Sequence, residues 1–152
     1  MTPPGINHHC CVVDIDGRGI LIEGRSGSGK TSLALGLVDT CRSRGRVAHL
    51  VCDDQAILTC HDGRLFANCP PSIRGKAEIR GFGITQVDSL DISRLVLAVR
   101  LVDDEDVPRM PEPRTGTYCG TALPLVTTPR RHEAQVIRII LAWLQEHRET
   151  AE

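Results

Sequence analysis

The stretch GRSGSGKT, residues 24–31, constrains this chain more than any other. Gly24, Gly29, Lys30 and Thr31 meet the spacing G-x-x-x-x-G-K-[ST], and Gly27 adds a further glycine. Before it, GILIE (residues 19–23) is a short apolar run that reads as a strand. After it, Leu33, Leu37 and Cys41 share one face at helical spacing until Gly45 ends the pattern. A glycine loop between strand and helix points successive N–H groups at an anion, and the helix N-terminus adds partial positive charge. Gly24, Arg25, Ser26, Gly27, Ser28, Gly29, Lys30 and Thr31 are therefore the expected nucleotide-binding residues, with Lys30 reaching the β- and γ-phosphates and the Thr31 hydroxyl on Mg²⁺.

The rest of the chain must supply the destination of the phosphate. CCVVDI (residues 10–15) is a second apolar run, joined to the loop strand by a DGRG turn. VAHLVCDD (residues 47–54) reads as a buried strand ending in Asp53 and Asp54, where nucleotide folds place metal-binding or catalytic acids. Two adjacent carboxylates suggest divided labour, one at the acceptor oxygen and one near the metal, which points to a kinase more than a simple NTPase. Residues 56–69 alternate about an Asp-Gly turn, residues 75–87 are punctuated by glycine, and residues 94–102 form another apolar strand. Residues 103–120, rich in acids and proline, read as an exposed flap. A terminal helix from Arg131 to about His147 would place Val136, Ile139, Ile140 and Trp143 on its buried face. The expected fold is α/β, a P-loop domain whose sheet is mixed, curved and hairpin-rich.

At 152 residues the chain fits one domain, residues 1–152. Its net charge of -1 gives no reason to expect nucleic acid as a partner, and no run of residues is long and apolar enough for a membrane span. The start lacks the basic and apolar regions of a signal peptide, so the cytoplasm is the expected location. Seven cysteines without a C-x-x-C pair read as reduced core thiols. HHCC (residues 8–11) is a poor metal cluster, because consecutive strand residues point to opposite faces.

EIRGFGI (residues 78–84) resembles the E-I-R-G-x-G-I signature of the HPr kinase/phosphorylase family, bacterial enzymes acting on a serine of the phosphocarrier protein HPr. The resemblance continues in order: His9 ahead of the loop, GRSGSGKT, the paired aspartates of CDD, Arg109 in VPRM, and Arg131 in a segment resembling P-V-x-P-G-R-N. It implies a phosphoenolpyruvate carboxykinase-like kinase domain using ATP and Mg²⁺, with Thr31, Glu78 and Asp54 near the metal. It further implies that Asp53 exchanges a proton with the serine, His9 adjusts local charge, and Arg80, Arg109 and Arg131 hold transferring oxygens. In the reverse direction phosphate attacks phosphoserine and releases pyrophosphate. The implied partners are an HPr-like phosphocarrier protein, nucleotide and further copies in a homo-oligomer.

The resemblance covers the catalytic half of longer family members. Cys10 stands where glycine usually follows the histidine, and Arg130 and His132 flank Arg131 where glycine and asparagine are usual. Two other readings share the loop chemistry: a kinase of another protein or of a small metabolite, and a nucleotide-sensing module that transfers nothing.

Overall fold

A computed structural model describes residues 5–110 and 112–148. Strands β1 (Ile6–His9), β2 (Cys11–Ile15) and β3 (Arg18–Gly24) lead into helix α1 (Lys30–Ser43); β4 (Ala48–Cys52), β5 (Gln55–His61) and β6 (Arg64–Asn68) follow. Then come β7 (Lys76–Ile79), β8 (Gly83–Gln86), β9 (Ile92–Val102), β10 (Arg114–Tyr118), β11 (Thr121–Pro129) and helix α2 (Glu133–Glu146). Nine strands form one mixed sheet, and β7 and β8 pair only with each other.

Hairpin chemistry explains much of this order. The loops Asp16-Gly17, Asp62-Gly63 and Cys119-Gly120 each place both residues at positive φ, the conformation that matches a two-residue turn to strand twist. They join β2 to β3, β5 to β6 and β10 to β11. The third turn corrects the expected flap: residues 114–118 are a strand, and Tyr118 is buried. Cysteine at positive φ is a weak turn signal, and Pro124 and Pro129 disguise β11 as a loop.

In the middle of the sheet β9 lies parallel to β3, and β11 lies parallel to β9. Strand β2 runs antiparallel to both β3 and β4, so β3, β4, β9 and β11 share one direction. Residues alternate between two cores along these strands. Cys11, Val13 and Ile15 face the layer containing α1 and α2, while Cys10 and Val12 join Leu58, Leu65, Tyr118 and Leu123 on the other face. The second cluster draws on both the β5–β6 and β10–β11 hairpins, which requires the sheet to curl over itself.

Helix α2 begins two residues later than expected, and its buried stripe is Val136, Ile137, Ile140 and Leu144. Ile139 and Trp143 stand only half-buried at its margin, and the Trp143 ring stacks on His147 with centroids 4.0 Å apart. All seven cysteines are free, five of them buried. Among the described residues no helix is long and apolar enough to cross a membrane.

Candidate active site

The shared direction of β3, β4, β9 and β11 brings their C-terminal ends to one edge, the usual ligand edge of an open α/β sheet. A cleft of about 1000 Å³ opens there, bounded by the N-terminal turns of α1 and α2.

The glycine loop forms its floor. Gly27 and Gly29 adopt φ of 80° and 94°, and Gly29 caps α1 without a side-chain hydrogen bond to its first-turn amides. A methyl group on Gly24 would lie 2.7 Å from Ser28 Oγ and 3.1 Å from the Leu101 carbonyl oxygen, so only glycine fits beneath the turn. Lys30 is buried, its Nζ donating to the carbonyls of Gly24 (3.0 Å) and Arg25 (3.1 Å). Ser28 Oγ is buried with no protein partner. Unbonded amides, an orphan hydroxyl and a lysine at the mouth of a helix fit a polyphosphate. The Arg25 side chain departs from expectation: it leaves the cleft, and its Nη2 donates to both carboxylate oxygens of Asp103 (2.9 and 3.0 Å), which also accepts from Arg130 Nε at 2.6 Å. Nothing in the spacing of the sequence pointed to this clasp.

Asp53 follows β4 directly and is 8% exposed. Its Oδ1 accepts from the Thr31 hydroxyl at 2.6 Å and from the Cys11 thiol at 3.1 Å, and its Oδ2 accepts from the Glu78 N–H at 2.8 Å. Burial and the Asp53 carboxylate push the Cys11 thiol pKa up, so Cys11 stays a neutral donor; the sequence offered no sign of this role. Asp54, by contrast, is exposed, at φ 100° inside a three-residue turn closed by Gln55 N–H donating to the Asp53 carbonyl. A non-glycine residue held there is strained, and such strain gathers at functional sites. Its carboxylate lies 3.5 Å from His9 Nδ1, which brings His9 to the cleft through Asp54. Thr31, Asp53, Asp54 and Glu78 thus present three carboxylates and a hydroxyl at one cleft, a hard oxygen set that suits Mg²⁺.

Glu78 and Arg80 reach the cleft from the β7–β8 hairpin, and Arg131, at φ 63°, reaches it from the end of β11. Arg109 does not: it is exposed between β9 and β10 and is absent from the cleft lining. Behind the loop, on the second core face, Glu23 accepts from Arg100 Nε at 2.6 Å and lies 3.0 Å from His8 Nε2. Burial alone would raise the Glu23 pKa; hydrogen bonds from His8 and Arg100 hold it below the usual carboxylate range. Burial, then Glu23, pushes the neighbouring Tyr118 up to about 12.

Residues 3–150 match the family model described as HPr Serine kinase C-terminal domain. The chain belongs to this family. It is 38% identical over 117 residues to the HPr kinase/phosphorylase of Clostridium beijerinckii, covering 70% of this chain and 37% of that protein. With the HPr kinase/phosphorylase of Chloroherpeton thalassium the identity is 33% over 137 residues, covering 81% and 38%. The chain therefore spans between a third and two fifths of the length of these relatives. Among solved structures it superimposes on the Hpr(Ser) kinase/phosphatase from Coxiella burnetii with a TM-score of 0.78 and 29% identity, covering 95% of this chain and 97% of that one. The curled mixed sheet is accordingly the HPr kinase domain fold, and the ordered motifs that suggested the family lie within the matched residues.

Proposed function

We propose that this HPr kinase family chain transfers the terminal phosphoryl group of ATP to a serine hydroxyl on an HPr-like phosphocarrier protein, and can run in reverse with inorganic phosphate. The observation that carries the reading is the 2.6 Å contact of Thr31 Oγ1 with Asp53 Oδ1 at the mouth of the glycine loop, within one cleft with Lys30, Glu78 and Arg131.

Mg²⁺, held by Thr31 with Asp53 and Glu78, would supply charge neutralisation of the phosphates. Lys30 exchanges its loop carbonyls for phosphate oxygens, and the amides of Gly27 and residues 29–31 bind the chain behind them, the Ser28 amide being held by the Arg25 carbonyl. Asp53 has both oxygens occupied by donors, which makes it a better holder of metal and hydroxyl than a proton acceptor. Asp54, open to solvent and next to His9, has the free lone pairs and the access that an incoming serine needs. This reverses the division of labour that the family resemblance implied. Arg80 and Arg131 line the cleft where bidentate guanidinium contacts would hold transferring oxygens. Arg109 acts, in this reading, only if the protein substrate or a second copy draws its segment inward.

The test is phosphoryl transfer from γ-labelled ATP with Mg²⁺ to HPr from the same organism, with Lys30→Ala and Asp53→Ala as controls. Label on an HPr serine that disappears with both substitutions is the expected result. Intact nucleotide binding without label on HPr would sink the assignment, leaving another acceptor or a nucleotide sensor.

A further inference from the structure

His8 and His9 are neighbours in β1 and serve opposite faces of it. His9 Nδ1 stands 3.5 Å from Asp54 Oδ1 at the cleft, whereas His8 Nε2 stands 3.0 Å from Glu23 Oε1 on the second core face. Strand β1 is short, lies at the edge of the sheet and exposes Ile6, Asn7 and His9, so burial does little to fix it. Its end nonetheless bears on the site. Cys10 and Asp54 exchange both backbone hydrogen bonds, each at 3.1 Å, which makes His9 and Asp54 one unit.

That unit has no ladder to the glycine loop. The pairing of β2 with β3 stops at Cys11 opposite Ile22, two residues short of Gly24. Beyond that point the His8–Glu23 contact carries the tie. Glu23 is itself fixed: it sits in register with Arg100 of β9, whose Nε donates to the other carboxylate oxygen at 2.6 Å. The Tyr118 ring stands edge-on to His8, with centroids 5.5 Å apart, and closes the cluster. The preceding positions on this face, Leu21 and Ala98, are fully buried and apolar. Exchanging a buried ionic cluster for well-packed apolar side chains is commonly neutral or stabilising, so stability alone does not account for a carboxylate here.

We propose that Glu23 and His8 are positioning residues for phosphoryl transfer: their contact sets where the His9–Asp54 unit stands relative to phosphates on the glycine loop. The inference rests on the transfer reading above. A proton acceptor displaced by roughly 1 Å slows the chemistry and leaves nucleotide binding intact, so the loss belongs in kcat.

The test is phosphoryl transfer from γ-labelled ATP to HPr by the full chain. His8→Ala, at a half-buried position on an edge strand, should lower kcat roughly tenfold with KM for ATP unchanged within about twofold. Glu23→Gln, whose amide cannot accept from both His8 and Arg100, should do the same. His8→Gln keeps a donor in the place of Nε2 and should recover most of the rate. Added to Asp54→Asn, His8→Ala should cost less than about twofold more, because the group it positions is gone; a purely structural loss would multiply instead. Full kcat in His8→Ala, or an undiminished loss in the Asp54→Asn background, would overturn the inference. An unmodified chain that leaves HPr unlabelled fails the functional reading instead, and amide exchange then decides the tie. His8→Ala should speed exchange at Cys10 and Asp54 at least about tenfold, and unchanged exchange there would overturn the inference by itself.

Discussion

Asp53 and Asp54 are neighbours in sequence with opposite surroundings, one enclosed by three donors and the other open beside His9. Asp53→Asn should therefore raise the Mg²⁺ concentration needed for half-maximal transfer, whereas Asp54→Asn should lower kcat at saturating Mg²⁺ by about a hundredfold with nucleotide affinity unchanged. Steady-state kinetics against Mg²⁺ separate the two; matching defects would remove the proposed division. Glu23 makes a different point. Because its folded pKa lies below its unfolded value, its stabilising effect is present above the ordinary glutamate pKa and is lost as pH falls through the depressed folded pKa. Glu23→Gln should cost about 2 kcal/mol at neutral pH and flatten the decline of stability in acid. Urea unfolding at a series of acidic pH values reads both effects.

The glycine loop shows how an element is held by its neighbours. Gly24→Ala drives a methyl group against Ser28 Oγ and the Leu101 carbonyl of β9, and should cost about 1–3 kcal/mol and weaken nucleotide binding, measured by thermal melting and ATP titration. The β7–β8 hairpin is the reverse case. Its strands pair only with each other and are mostly exposed, with Ala77 as the buried anchor, yet the hairpin carries Glu78 and Arg80 into the cleft. Two strands alone are marginal in water. The Ile84 amide should therefore exchange at least about a hundredfold faster than those of Ile22 and Val99 in the sheet centre, and hydrogen exchange followed by mass spectrometry would show whether the hairpin is as separable as its pairing implies.

At the scale of the molecule, stability rests on a sheet buried on both faces. Leu97 has no exposed surface in the middle of β9, between β3 and the helix layer, and Leu97→Ala should cost about 2–5 kcal/mol by chemical unfolding. The cysteines report the same burial. Cys60 and Cys119 are partly exposed and should react with a thiol reagent in the native state, while Cys10, Cys11, Cys41, Cys52 and Cys69 should react only on unfolding. For Cys10 burial raises the pKa to about 12, which suppresses the thiolate as well as access.

The phosphate loop, the two Asp-Gly hairpins and the apolar strands were legible in the sequence because each is set by local chemistry: glycine where φ is positive, alternation where a strand has two faces. The Cys119-Gly120 turn and β11 were not, since nothing local distinguishes a proline-bearing strand from a loop until β9 lies beside it. Nor was the true buried stripe of α2, which depends on where α1 and the sheet stand. The sequence by itself determined that a glycine loop suited to a phosphate would open a helix and that two carboxylates would follow a buried strand. Only the tertiary structure decided which carboxylate meets Thr31 and which meets His9, that Arg25 turns away to Asp103, that Arg109 stays outside, and that His8 and Arg100 meet at Glu23. Local conformation depends on a few neighbouring residues, whereas the meeting of side chains far apart in the chain depends on how strands pair and how the sheet curls.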